Sequence, residues 1–245
     1  MRKVWSALRS LFPRRAYYRK DGDYYQDREG GRFAVSFSLE GEDLVTDQLL
    51  RMPDQGFYVD VGALHPVRYS NTYLFYRRGW SGINIEPTPD GIDLFQQRRP
   101  RDTNLNLGIS AQEGELTLHL MDDPALNTFD EQRKEKLERE TPYRCIGTAL
   151  VPTRPLAAVL AEYAGDRRID FLTIDVELHE QQVLESNDWE RFRPRLVLVE
   201  ILESPLEDVG RDPIHRMMKQ NEYSLIAMTG RTAFYSDDRD WEAQP

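Results

Sequence analysis

Cysteine is almost missing from this 245-residue chain, and the single one, Cys145, has no intramolecular partner. That excludes an internal disulfide, a zinc site with paired cysteines and a two-cysteine redox motif, and it fits a reducing cytoplasm. No apolar run is long enough for a membrane-spanning helix, and 30% of the residues are charged. Basic residues are in the minority, 32 Lys and Arg against 42 Asp and Glu, so the formal charge of -10 argues against a nucleic-acid partner. The chain also has no internal repeat and no low-complexity stretch.

The basic residues present are unevenly placed. Residues 1–20 hold seven of them and no acid, leaving 25 basic and 42 acidic groups in the remainder. Arg9, Arg14 and Arg15 interrupt any apolar stretch, so the segment does not read as a secretory signal. Residues 1–30 are taken as a basic arm, either solvated against its own acidic domain or lying on an anionic membrane through Trp5, Leu8, Leu11 and Phe12. The expected location is the cytoplasm, with that peripheral membrane contact as its variant. Residues 31–245, with 40% apolar residues chain-wide, are expected to form one domain.

Within that domain the pattern alternates. A capped amphipathic helix is expected from Ser36 onward, with Leu44, Val45, Leu49 and Leu50 on one side. Phe57–Gly62 reads as a strand stopped by glycine, Ser70 as a cap before a helix over Thr72–Arg78, and Gly82–Glu86 as a second strand. A helix over Asp90–Arg98 and a strand over Asn104–Ile109 repeat the period. Residues 111–150, with an alternating Glu115–Leu120 and a charged helix over Asp130–Glu140, are read as an insertion. A helix over Pro155–Tyr163, strands at Ile169–Glu177 and Arg195–Ile201, a helix at Pro213–Asn221 and a hairpin across Thr229–Arg231 complete the chain. Strands alternating with helices imply an α/β fold with a doubly wound, mostly parallel sheet, closed by a C-terminal antiparallel hairpin.

Such sheets bind ligands beyond the carboxyl ends of their strands, where the strand order reverses. Four strands end there in acids or glycine: Asp60 and Gly62, Glu86, Asp175 and Glu177, and Glu200. An acid closing the second strand suits the two hydroxyls of a ribose. The loop after Gly62 runs Ala63-Leu64-His65-Pro66 without further glycine, which gives a pyrophosphate no close backbone approach. S-adenosylmethionine, which has no phosphate, asks less of it. No tyrosine has a lysine four residues on, which further weakens a nicotinamide reductase.

Val59–Pro66, Ser70–Tyr73, Gly79–Pro87, Asn106–Ser110, Ile174–Glu177 and Ser186–Trp189, with Ser36–Asp43 as an entry motif, follow one order and spacing. That set resembles the FkbM-type methyltransferases, S-adenosylmethionine-dependent O-methyltransferases on a Rossmann-like sheet of class I, over about Ser36 to Ile201. The resemblance implies cofactor contacts at Asp60, Gly62, Ala63, His65, Asn71, Glu86 and Asn106; of these, Asp60, Gly62 and Glu86 also follow from the strand-end reading. It implies methylation of a hydroxyl on a sugar, glycan or sugar-containing metabolite. Two positions depart from the family pattern, Leu178 where glycine is usual and Leu39 where glutamine is usual. Either a reshaped pocket or a catalytically silent cofactor-binding module accounts for Leu178.

A hydroxyl acceptor needs a base, an acidifying metal, or both. His179, just past the fourth strand, is the expected base, with Asp175 and Glu177 as catalytic carboxylates. Asp175 with Glu200 offers hard ligands for Mg²⁺, although paired carboxylates equally suit the cofactor's ammonium group. Trp80 and Trp189 are read as packing residues.

Overall fold

The computed structural model describes residues 17–18, 24–26, 32–51, 54–202 and 206–241. The arm positions Trp5, Leu8, Leu11 and Phe12 lie outside them. Strands β1 (Tyr17–Tyr18), β2 (Tyr24–Gln26) and β3 (Arg32–Ala34) form a small antiparallel sheet ahead of helix α1 (Glu42–Leu49). Strand β4 (Phe57–Val61) leads through α2 (Tyr73–Arg77) to β5 (Ser81–Ile85), and α3 (Gly91–Arg98) leads to β6 (Thr103–Leu105). A second three-stranded sheet follows from β7 (Gly108–Ile109), β8 (Gly114–Met121) and β9 (Cys145–Arg154), with α4 (Glu131–Glu140) between the last two. The chain then returns through α5 (Leu156–Tyr163), β10 (Phe171–Ile174), α6 (Glu180–Glu185), β11 (Leu196–Glu200), α7 (Pro213–Gln220), the hairpin β12 (Tyr223–Met228) and β13 (Thr232–Asp237), and α8 (Asp238–Trp241).

The central sheet has seven strands in the order β12-β13-β11-β10-β4-β5-β6, parallel from β11 to β6, with β13 antiparallel to β11. Strand order reverses between β10 and β4, which sets the position of the site. Every residue of β4, β10 and β11 is buried, so these strands are near-continuous apolar runs without polar alternation. Val59, Val61, Leu172, Ile174, Val197 and Val199 pack on one face with Leu156, Leu160 and Trp189. Tyr58, Phe171, Leu196 and Leu198 pack on the other with Phe75 and Trp80. Both tryptophans are therefore core residues, as their sequence context suggests. Among the described residues no helix is long and apolar enough to cross a membrane.

Three elements differ from the sequence reading, each through contacts between residues that are not immediate neighbours in the chain. Helix α1 begins at Glu42; Ser36 Oγ, Ser38 Oγ and the Phe37 amide instead donate to the Asp43 carboxylate at 2.7–2.9 Å. The strand expected over Asn104–Ile109 is cut in two, because Asn106 Nδ2 turns onto the Glu86 and Thr88 carbonyls (2.7 and 2.9 Å). The first half stays on the central sheet, whereas Gly108 and Ile109 pair with β9. Strand β9 itself, absent from the sequence reading, gains its order from an eight-residue pairing with β8.

Candidate functional site

Because β4, β5, β10 and β11 are parallel, their carboxyl ends meet at one edge, and a cavity of about 320 Å³ opens there. Of the residues singled out from sequence, Gly62, Asn71, Glu86, Asp175, Glu177 and Glu200 line it. Asp60, Ala63, His65, Asn106 and His179 do not.

At the β4–β5 end the backbone makes the wall. Gly62 has φ +82°, and a Cβ there would lie 1.8 Å from the Asp175 carbonyl oxygen, so only glycine lets β4 and β10 close at this point. The Gly62 and Ala63 amides both donate to the Ile85 carbonyl (3.0 and 3.1 Å). Glu86 is buried; its Oε2 accepts the Leu64 amide (2.7 Å) and its Oε1 the Thr88 amide (2.8 Å). Burial raises its pKa, opposed by those hydrogen bonds. Each oxygen has a second lone pair for a ligand hydroxyl. Asn106 fixes this turn from behind, and Asn71 donates to Thr173 Oγ1 (2.9 Å) at the cavity wall.

The other three cofactor candidates support the wall from outside it. Asp60 accepts the Thr72 hydroxyl (2.6 Å) inside a buried polar network, and burial lifts its pKa to about 6. Ala63 packs against Ile92 and Phe95. His65 Nδ1 accepts the amides of Val67 and Arg68 (3.0 and 2.9 Å), which fixes the loop with a neutral ring; burial, then Arg68 and Arg98, lowers its pKa.

The network behind Asp60 escaped the sequence reading. Arg99 is fully buried, with Nε on Asp102 (2.8 Å), Nη1 on Thr72 and Ser70, and Nη2 on Tyr58 OH (2.6 Å) and Thr72. Tyr58 and Asn84 donate to the same Asp102 carboxylate, which also takes the Gly82 amide. One arginine within the Arg-Arg-Pro-Arg stretch gives no sign of this role, because all its partners but Asp102 come from β4 and the turn before α2.

At the β10–β11 end Asp175, Glu177 and Glu200 each bring a carboxylate oxygen within 4.8 Å of the others. Asp175 faces the open cavity yet lies deep in the fold, so desolvation, then repulsion from Glu177, raises its pKa to about 6. Glu200 is raised further, by burial and then by Asp175 and Glu177, so that at neutral pH it keeps a proton and donates it toward Asp175. Its Oε2 is buried and has no hydrogen-bond partner among the described residues. Arg231, read from sequence only as a turn residue, comes off the β12–β13 hairpin to 3.8 Å from Glu200, held by Glu40 (3.2 Å). Glu42 and Thr232 complete this wall.

Residues 111–150 cover the opening with Leu118, Asn127, Phe129 and Tyr143, and they hold the segment after β10. Arg133 pairs with Glu177 (2.6 Å), and Thr128 Oγ1 donates to the Glu177 carbonyl (2.7 Å). His179 is not among the cavity residues: its ring packs on Phe129 with centroids 5.5 Å apart, it hydrogen-bonds the Ile109 backbone, and its buried Nε2 is without a partner among the described residues. Burial lowers its pKa.

Glu177 and Leu178 both adopt left-handed backbone, φ +53° and +74°. Leu178 therefore occupies a conformation suited to glycine, but it is not among the cavity residues. Leu178→Gly is expected to raise unfolding free energy by about 0.5–1 kcal/mol, the left-handed penalty less the extra chain entropy of glycine. Urea denaturation measures this, and catalytic rate is expected to stay within about twofold because no cavity surface changes. The departure that suggested a silent module thus concerns backbone strain outside the cavity.

Comparison with known proteins identifies the family. The family model described as the methyltransferase FkbM domain matches residues 60–225. Among solved structures, a methyltransferase from Geobacter sulfurreducens aligns at 12% identity over 97% of this chain and 96% of its own, with a TM-score of 0.40. An O-methyltransferase from Bacillus cereus in complex with SAH aligns at 11% identity over 82% and 84%, TM-score 0.38. A TehB-like SAM-dependent methyltransferase from Corynebacterium glutamicum aligns at 11% identity over 82% and 89%, TM-score 0.41. No curated protein matches the chain.

Proposed function

The chain belongs to the FkbM methyltransferase domain family and is an S-adenosylmethionine-dependent methyltransferase, and from that premise we propose that it methylates a hydroxyl of a sugar, glycan or sugar-containing metabolite. The observation that carries the reading is one cavity with two chemically different ends. Gly62 and Glu86 form a close-approach wall with free acceptor capacity, and Asp175 and Glu200 form an acid pair opposite. Gly62, at the cavity wall where β4 and β10 close together, and the Glu86 lone pairs support a nucleoside at this end. The cofactor supplies an electrophilic methyl group when bound.

The chain's own residues then have to orient a hydroxyl and take its proton. Asp175 suits the proton-acceptor role: it is exposed to the cavity, and a pKa of about 6 leaves it ionised but basic at neutral pH. Glu200 acts through Asp175, holding it by the shared proton. Glu177, neutralised by Arg133, shapes the wall. His179 packs on Phe129 and is not among the cavity residues, which favours Asp175 over it as the base. A hydroxylated neutral acceptor suits this acid-rich lining.

Calorimetric titration with S-adenosylmethionine tests the first end. Glu86→Gln, which removes one strong acceptor, is expected to weaken binding about 10-fold or more without changing the melting temperature by over a few degrees. Undiminished affinity in the variant would overturn the placement of the ribose at Glu86.

A second reading places Mg²⁺ at Asp175, Glu177 and Glu200, favoured by their 4.8 Å clustering and by the unpartnered Glu200 Oε2. Such an ion would acidify the acceptor hydroxyl. It has Arg231 and Arg133 as competitors for the same carboxylates. On this reading Mg²⁺ raises the melting temperature at pH 8 and chelation removes activity; full activity in chelator rejects it.

A further inference from the structure

Strand β9 has an unused edge. β8 pairs with one side of it from end to end, whereas β7 reaches only Thr153 and Arg154 on the other. The edge from Ile146 to Pro152 therefore has no strand partner among the described residues. The direction of its backbone groups follows from the ladder. His119 of β8 exchanges its amide and carbonyl with Thr128 (2.9 and 3.3 Å), away from β9. In an alternating antiparallel pair its partner Thr148 must then point its own amide and carbonyl outward, and Leu150 with it. The carbonyl of Arg154, of the same parity, accepts the Ser110 amide on that outer side (3.1 Å).

The side chains along this edge are equally unusual. Ile146 and Leu150 are 71% and 65% exposed, the highest values among the exposed large apolar side chains of the described residues. In a chain where 30% of residues are charged, Cys145–Val151 contains no charge, and no Lys or inward charge blunts the edge before Pro152. Helix α4, which meets the start of β9 through Glu138 and the Cys145 amide, carries four acidic and four basic residues and so brings no net charge.

We propose that this edge is the self-association surface of the protein, β9 pairing antiparallel with β9 of a second copy about a two-fold axis at Thr148. The sequence is matched in size about that residue: Gly147 faces Ala149, Ile146 faces Leu150 and Cys145 faces Val151. An isologous contact pairs residue i with residue j of the partner and j with i, so residues equally spaced on either side of Thr148 have to fit one another. Each copy then supplies outward amides and carbonyls at Thr148 and Leu150, and the pairing stops where β7 occupies the edge at Thr153. A contact of this length is small, so association in the micromolar range is expected.

Sedimentation velocity on the full chain from about 1 to 100 µM tests this, with a shift toward twice the 28.7 kDa protomer expected. Thr148→Pro removes an outward amide without touching the β8 ladder, and Leu150→Lys places charge on the edge. Both are expected to shift the dissociation constant upward at least 10-fold with unchanged circular dichroism and melting temperature. In a Cys145→Ser, Thr148→Cys chain the two introduced thiols would face each other with Cα atoms about 5.5 Å apart, within disulfide range, and oxidation should give a covalent dimer. A monomer at every concentration overturns the proposal, whether the basic arm or water covers the edge. So does a dimer insensitive to both edge variants and not crosslinked at position 148.

Discussion

Asp175→Asn is expected to lower kcat by about 10²–10⁴-fold while leaving S-adenosylmethionine affinity within a few-fold of wild type. The amide keeps the shape of the wall but accepts a proton far too weakly to serve the acceptor hydroxyl. Single-turnover methylation and calorimetry separate the two effects; a variant that retains more than a tenth of wild-type rate would remove Asp175 from the role. The pH dependence has a definite sign. Wild-type kcat should rise with pH through about 6, as Asp175 ionises, and stay level above it. Stability runs the other way. The folded pKa of Asp175 lies above the unfolded value of 3.8, so the folded state binds the extra proton and stability is lost as pH rises from about 4 to 6. The inactive asparagine variant should therefore melt above wild type at pH 8 and approach it near pH 4. Loss of rate together with a gain in melting temperature distinguishes a charge kept for chemistry from one kept for structure.

Arg99→Leu should produce the largest stability loss, about 3–5 kcal/mol by urea denaturation at pH 7.5. Without the guanidinium, Asp102 stays buried beside Asp60, and Thr72, Ser70 and Tyr58 lose a shared donor. Asp60 already titrates near 6, with Arg99 holding it down, so removing the cation pushes it higher. The deficit should consequently shrink toward pH 5, where Asp60 takes up its proton in the folded state. Should the leucine variant fail to fold, Arg99→Lys, which keeps the charge but not the fork, should show a smaller loss with the same pH trend. A pH-independent deficit in either variant would argue that packing, not charge, is what Arg99 contributes.

How far the sequence reached can be judged residue by residue. Glu86 and Gly62 were legible because a strand that ends in an acid or a glycine announces its own position, and the parallel alternation places those ends together. Asp60 and Asp175 look alike in sequence, each at the acidic end of an apolar run. Register separates them: Asp60 lies inside β4, opposite Thr173, and bonds Thr72 in the buried Arg99 network, whereas Asp175 follows β10 and lines the cavity. His179 was placed near the right strand end but not on the right side of Phe129, a residue 50 positions earlier.

By itself, then, the sequence determined the element types, the parallel sheet with its closing hairpin, and the edge at which the cavity opens, because hydrophobic periodicity and strand-end residues are properties of neighbouring positions. Only the tertiary structure decided which acids meet, that Asp175 and Glu177 raise the proton affinity of Glu200, that Arg231 and Arg133 reach the acid cluster, and that β9 is a strand with one edge open among the described residues. Those facts depend on contacts between residues far apart in the chain, on burial that shifts proton affinities, and on side-chain direction, none of which is written in local sequence pattern.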